Sequence, residues 1–368
     1  MSTTLEEREI SAPRAGRFKV HIQGNLKQSH FVVLTVHDLG CNHTMWKGFL
    51  AHESMEEVVR RSAFIHIDVP GQEDDAGNLP EEYPRRKDSG LSICYKFPSM
   101  QSLGEDLVCV LDQLDVKQVI GLGEGAGANI VARFAMAQPD RCLGVCLIHC
   151  TGTTAGFMES IKDKVISWKL DHVGMNPTAE TYLVLHRFGS ELFDKASSKD
   201  EINKTVNTFL DTLRSKINPH NLQRFVHSFM KRSNIADHLS SLKCRVLTVT
   251  GTKASFNHTV HTLFGHMTHQ LAKNQVDLLE FDGVANVIEE RPEKLAESFI
   301  YFAQGLGVMG GVPMPRVRRS SSTEQYLTKQ RSMSMEECDR PTGIYSSSPS
   351  KLSVSPKSSP LSCSPPKN

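Results

Sequence analysis

The spacing of apolar residues divides the chain into alternating strands and helices. Residues 17–23 (FKVHIQG) alternate in the manner of a half-buried strand. Residues 30–38 (HFVVLTVHD) and 63–71 (AFIHIDVPG) are continuous apolar, β-branched runs, which predict strands covered on both faces. In LGEDLVCVLDQL the apolar positions 103, 107, 110, 111 and 114 fall on one face of a helix. KQVIGLG, AGANIVARFAMAQ and GVCLIHC then predict strand, helix and strand. Short connections and strict alternation are the pattern of a doubly wound α/β fold with a mostly parallel sheet.

Between about 153 and 240 only helical patterns occur: FMESIKDKVISWKL, AETYLVLHRF, INKTVNTFLDTLRSKI and PHNLQRFVHSFMKR. Alternation resumes with the strand CRVLTVTG (244–251), a helix over about 259–273, the strand VDLLEF (276–281) and the helix PEKLAESFIYFAQGL (292–306). The organisation expected is a flexible N-terminus (1–16), an α/β domain over 17–308 with a helical cap at about 153–240, and a disordered tail (309–368). From Gly310 onward there are fifteen Ser and eight Pro with few bulky apolar residues, too little buriable surface to offset ordering entropy.

Composition adds two constraints. The whole chain, 368 residues with 39% hydrophobic and 23% charged residues, carries a net charge of +1 and gives no reason to expect nucleic acid as a partner. The charge is uneven: residues 310–368 hold nine Lys/Arg and four Asp/Glu, so the tail is +5 and the rest is +1 − 5 = −4. No secretory h-region and no run of about 18 apolar residues is seen, so a cytoplasmic protein without a transmembrane segment is expected. Nine cysteines without CxxC spacing read as reduced thiols, and no cofactor is implied.

The candidate chemistry sits where the strand KQVIGLG meets its helix. Gly123-Glu124-Gly125-Ala126-Gly127 has the frame of a G-x-S-x-G nucleophile elbow, a turn that lifts a serine to the end of a sheet. His37-Asp38-Leu39-Gly40 follows a buried strand at the place of an oxyanion-hole segment, and Asp68 to Gly71 (DVPG) forms an Asp-x-x-Gly loop. The fold expected is therefore an α/β-hydrolase fold with a helical cap. Yet the nucleophile position is Gly125, the acid position falls near Ala254 and Ser255, and the base position near Ala285 or Asn286; no histidine follows His269. Nucleophilic acyl transfer needs an activated nucleophile with a base in reach. No catalytic residue is expected at these three degenerate positions.

The segments TVHDLGCNH, GLGEGAGANIVARFA followed by QPDR, FAQGLGVM and the tail opening MPRVRRSSS resemble the N-myc downstream-regulated (NDRG) family of α/β-hydrolase-like proteins. They recur in order over nearly the whole chain. The resemblance implies a non-enzymatic cytoplasmic protein of signalling, stress response, differentiation or vesicle traffic, acting through protein partners of unknown identity.

The sequence also allows other readings. A vestigial pocket formed by His37, Asp38, Glu124, Gly125 and Ala126 is the place for a ligand, or for a hydrolase or lyase working without the triad through His37, Asp38 or Glu124. Gly123-x-Gly125-x-x-Ala128 loosely matches a dinucleotide fingerprint, but it comes after at least three strands and lacks the acidic residue at the next strand's end. His43, His258, His261, His266 and His269 have no HExxH context, so no metal is expected.

The tail offers the control element. Arg316 and Arg318 lie five and three residues before Ser321, the Arg-x-Arg-x-x-Ser spacing read by basophilic kinases of the Akt and SGK type. Ser320, Ser321, Ser322, Ser332, Ser334 and the Pro-preceding Ser355 are the expected phosphorylation sites. Each phosphate adds about −1.5 to −2 charges, so three would cancel the tail's excess. The unmodified tail suits a peripheral contact with anionic phospholipid at a membrane surface.

Overall fold

The computed structural model describes residues 5–80, 83–85, 93–95, 97–152, 177–189 and 200–310. One compact unit spans Met1–Val312. Residues 311–368 of the tail, with all six expected phosphorylation sites, and the predicted helix at 157–170 lie outside the described residues, whereas Met309, placed in the disordered tail from sequence, is buried in the core.

The strands are β1 (Glu6–Ala12), β2 (Gly16–Gln23), β3 (Phe31–Val36), β4 (Ser62–Asp68), β7 (Val119–Glu124), β8 (Cys142–Ile148), β9 (Arg245–Gly251) and β10 (Val276–Phe281). They form one eight-stranded sheet in the order β1-β2-β4-β3-β7-β8-β9-β10. From β4 to β10 every pairing is parallel, whereas β2 runs antiparallel to both β1 and β4. The short strands β5 (Tyr83–Arg85) and β6 (Ile93–Tyr95) pair separately.

Side chains alternate across this sheet and build a core on each face. Val32, Leu34 and Val36 of β3 join Ile65 and Ile67 of β4 beneath α3 (Met100–Gln113) and α4 (Ala126–Ala137). Val33 of β3 and Ile120 and Leu122 of β7 point the other way, toward α1 (Trp46–Ala51), α2 (Glu56–Arg61) and α10 (Pro292–Gly305). The continuous apolar strands of the sequence are thus covered on both faces, as parallel strands must be. Helix α3 begins earlier than its apolar stripe because Ser99 caps it, its Oγ accepting the Ser102 N–H at 3.1 Å. The helices α5 (Pro177–Phe188), α6 (Asp200–Ser215) and α7 (Pro219–Met230) stand between β8 and β9, where strand alternation stops. Helix α8 (Asn257–Gln270) connects β9 to β10, and the short α9 (Val287–Glu290) precedes α10.

The expectation of a flexible stretch over residues 1–16 is corrected for Glu6–Ala12. This strand pairs along its length with β2, placing Glu7 opposite His21 and Glu9 opposite Lys19. Ile10 is buried with Phe18 in the core, while Glu9–Arg17 and Glu7–Lys19 ion pairs at 2.8 and 3.0 Å lie outside it. The segment EEREI looks solvated in sequence because its charges face water and each other on an edge strand. None of the described helices is long and apolar enough to cross a membrane.

Candidate functional site

The β7–α4 turn is the sharpest feature of the sheet's carboxyl edge. Gly125, between strand and helix, has φ +53° and ψ −112°, a conformation costly for any residue with a Cβ. Gly127 answers a second constraint: a Cβ there would stand 2.2 Å from the Val36 carbonyl oxygen. The turn therefore needs glycine at 127 to seat α4 against β3.

At Gly125 the obstacle is a side chain. A Cβ would meet the Asp38 carboxylate, with Oδ1 at 2.1 Å and Cγ at 2.3 Å. Asp38 thus occupies the space into which a nucleophile's side chain would project. Its Oδ1 accepts the Ala126 N–H at 2.7 Å, and it also takes the Leu39 N–H. These two amides, one after the elbow and one after the strand β3, are where oxyanion-hole donors belong in this architecture. From α5, His186 Nε2 lies 3.0 and 3.3 Å from the two carboxylate oxygens. Burial opposes charge on Asp38, but the His186 charge and hydrogen bond, with the two amides, outweigh it and hold the carboxyl below its ordinary range.

Glu124 precedes the same turn and meets a different environment. It is 1% exposed, and its Oε1 accepts from Asn286 Nδ2 at 3.1 Å. Its Oε2 has no hydrogen-bond partner among the described residues, and Arg187 Nη2 stands 3.8 Å away. Burial pushes its carboxyl up to about 7 against the pull of Arg187. Arg187 is itself shared: Nη2 donates to Glu289 at 3.0 Å and Nη1 to Cys41 Sγ at 2.8 Å. The Cys41 thiol, buried, is pushed up to about 12, which removes it as a nucleophile at neutral pH.

The positions expected for acid and base carry no titratable group. Ala254 lies in the turn after β9, its N–H donating to Gly251, and neighbouring Ser255 donates its hydroxyl to the Leu185 carbonyl. Ala285 is buried, with its N–H on Glu290 at 2.8 Å, and Asn286 beside it reaches Glu124. His37 is fully committed: Nδ1 contacts the Asp38 carbonyl at 2.8 Å, and Nε2 accepts the Val69 N–H at 3.0 Å. Burial lowers its basicity. Of the five pocket residues expected from sequence, the structure gathers Asp38, Gly125 and Ala126 into direct contact, sets Glu124 beside them, and turns His37 toward the β4 loop. His186 and Arg187 were not among the residues singled out in the sequence, and Asn286 was noted there only at the degenerate base position. Their only signal is that His186-Arg187 ends an otherwise apolar helix face.

A second cluster lies on the other side of the β3 loop. Asp68, wholly buried at the end of β4, accepts from His21 Nε2 and His43 Nδ1 on one oxygen, each at 2.9 Å, and from the His43 N–H at 2.6 Å on the other. The three donor groups lie within 4.8 Å of one another, so these residues offer the ligand set for a metal ion. The two rings, however, are stacked 3.5 Å apart at 18°. An ion lies in the plane of each imidazole it binds, and near-parallel planes at that separation share no such point. As arranged, this is a hydrogen-bonded cluster that ties β2, β4 and the β3 loop together. The histidines of α8 that invited a metal reading, His258, His261, His266 and His269, are exposed, with His261 bonded to Glu280 at 2.7 Å.

Sheet order, turn and flanking helices define an α/β-hydrolase fold. Solved structures similar to it include an esterase from Thermogutta terrifontis, with a TM-score of 0.63 and 15% identity over 82% of this chain and 99% of that one. A second is a carboxylesterase from the thaumarchaeon Nitrososphaera gargenis, with a TM-score of 0.62, 16% identity and the same coverage. The family model of the Ndr family matches residues 8–310, and the chain belongs to that family. An uncharacterized protein of Caenorhabditis elegans is 38% identical over 90% of this chain and 92% of its own length. The protein NDRG1 of Xenopus tropicalis is 32% identical over 82% of this chain and 72% of its own length.

Proposed function

We propose that the protein is a non-catalytic member of the Ndr family that works in the cytoplasm, at times at a membrane surface, by binding partners in signalling, stress response, differentiation or traffic. The observation that carries this reading is the placement of Asp38. Its carboxylate stands where a nucleophile's side chain would be and takes the amide that would polarise a substrate carbonyl, while Gly125, Ala254 and Ala285 supply neither nucleophile, acid nor base. Electrostatic stabilisation of an oxyanion is worth roughly 3–4 kcal/mol per donor, and an anion already on the donors opposes it. Phosphorylation of tail serines is the proposed control, of Ser321 and its neighbours Ser320, Ser322, Ser332 and Ser334 by a basophilic kinase and of Ser355 at its Ser-Pro step, changing the sign of the tail's charge.

One observation favours a second reading, a hydrolase or lyase without the triad. Glu124, with a carboxyl near pH 7, has the acidity of a general acid or base. A turnover screen with esters, thioesters and lipids, using Asp38→Ala and Glu124→Ala as controls, separates the two. The expected result is no turnover and no labelling by serine-hydrolase probes; turnover abolished by either substitution would establish the second reading instead. For the tail, Arg318→Ala is expected to lower phosphate incorporation at Ser321, read by mass spectrometry, and equal incorporation would remove the kinase assignment.

A further inference from the structure

One ring nitrogen of the cluster around Asp68 faces a group of the wrong kind. Burial opposes charge on Asp68, but the hydrogen bonds from His21 and His43 outweigh it and hold the carboxyl well below its ordinary range. A carboxylate only accepts, so His21 Nε2, which meets it at 2.9 Å, carries the proton. Nδ1 of the neutral ring is then a bare lone pair. That lone pair points at a second carboxylate: Glu7 of β1 stands opposite His21 in the strand register, with Oε1 3.7 Å from Nδ1. Glu7 stays charged, because the hydrogen bond from Lys19 at 3.0 Å holds its carboxyl below the ordinary range. Two acceptors in this arrangement repel. A single proton on Nδ1 turns the contact into an ion pair that, on closing to roughly 2.8 Å, becomes a charge-assisted hydrogen bond.

The groups packed around His21 direct the proton to that nitrogen. His66 of β4 is its register partner, and burial and the nearby His43 push that imidazole down to about 3. His37, after β3, is likewise lowered by burial. His43 shares the Asp68 oxygen with His21 and stacks on its ring at 3.5 Å, so a proton on one ring opposes a proton on the other. Of this pair, His21 has the second carboxylate on its free nitrogen. Lys19 of β2 is a like charge, but it is engaged with the other oxygen of Glu7.

The contact matters because β1 is held unevenly. Its second half is anchored: Ile10 is buried with Phe18, and just beyond the strand the Arg14 and Ala15 N–H groups donate to Asp106 at 2.6 and 2.7 Å. Its first half, Glu6 to Glu9, is exposed throughout. Ion pairs between exposed side chains, such as Glu7 with Lys19, add little to its hold. Where this half lifts away, the outer edge of β2 is bared, with N–H and C=O groups free to pair with another strand.

We propose that Glu7 and His21 are a proton-operated fastening for the first half of β1. With Nδ1 protonated, the ring bonds Glu7 and closes the edge of the sheet; with Nδ1 bare, the two groups repel and the edge opens more often. The sign follows from linkage: a partner gained on protonation stabilises at low pH, and its contribution is lost as pH rises. The device lies outside the β7–α4 turn and holds whether or not that turn has turnover.

The test uses the full chain, isotope-labelled at the histidine ring nitrogens, between about pH 8 and pH 5.5, the range in which imidazoles change charge. As pH falls, the His21 Nδ1 resonance is expected to move from the bare to the protonated position. Hydrogen exchange at the Glu7 to Glu9 backbone amides, corrected for its intrinsic pH dependence, is expected to slow by about fivefold over the same range, as for a strong exposed ion pair. Glu7→Gln, at a side chain already in water, is expected to abolish that pH dependence; the Lys19 pair it also removes changes only the level of exchange. Glu9→Gln removes the same charge from the same strand and is expected to keep the pH dependence. A His21 Nδ1 resonance that stays constant, titration of His43 in its place, or a Glu7→Gln slope equal to that of the parent chain overturns the proposal, as does loss of the slope in Glu9→Gln.

Discussion

Asp38 and Glu124 flank one turn, both are nearly inaccessible to water, and their acidities are driven in opposite directions. Asp38 collects two backbone amides and a histidine, and its charge is stabilised. Glu124 has one amide donor at 3.1 Å and a guanidinium at 3.8 Å that is also shared with Glu289, and its carboxyl rises to about 7. Burial is alike in the two; the number and closeness of donors differ. The lesson is that desolvation sets the size of the stake at a buried carboxylate, and local hydrogen bonds set its sign.

The comparison can be broken most forcefully at Asp38. Asp38→Ala leaves the Ala126 and Leu39 amides without their anion and His186 without its counter-charge, and is expected to cost about 3–5 kcal/mol in urea unfolding. A loss below about 1 kcal/mol would show that the carboxylate is not tightly held. Next in size is Glu124, whose raised carboxyl makes the folded state bind a proton that the unfolded chain releases near pH 4.5. Stability is then full below pH 4.5 and falls as pH rises to about 7, by on the order of 3 kcal/mol in all. Glu124→Gln is expected to flatten that slope, and an identical pH profile in the variant would place the titration elsewhere. Asp38, with its acidity shifted the other way, contributes stability that is lost only as pH falls below the ordinary carboxylate range.

Gly125→Ala tests the contact between the turn and Asp38. The added Cβ is expected to cost about 1–3 kcal/mol. In an Asp38→Gly background part of that cost should disappear, a coupling of about 1 kcal/mol or more in a double-mutant cycle; strict additivity would mean the backbone alone resists the side chain. The smallest effect belongs to a solvated counterpart. Glu280→Gln removes the exposed pair with His261 and is expected to change stability by less than about 0.5 kcal/mol.

The strands, the turn and the parallel sheet were legible because each is written in contiguous residues: β-branched runs, then glycines at 123, 125 and 127. Edge strand β1 was not, because an edge strand with one buried side chain, Ile10, carries charges on most of its length. At the site, the elbow frame of Gly123 to Gly127 could be read from its own residues. The carboxylate packed against Gly125 could not. The Asp38 carboxylate meets Ala126 across 88 residues and His186 across 148, and only the folded sheet brings those together. The meeting of His21, His43 and Asp68 was hidden for the same reason, since β2 and β4 are antiparallel neighbours only after β3 has been threaded beyond β4 in the sheet order.

The Asp38 carboxylate has one more consequence. Hydrolysis of an ester at such a turn leaves a carboxylate as the acyl product, resting on the same amides. This chain holds a chemically equivalent group there by covalent attachment, at an effective concentration that for short tethers is in the millimolar range or above. The site is in the position of an enzyme saturated with product that can never diffuse away. Restoring a serine at 125 would therefore not restore turnover; the tethered product would have to be removed first.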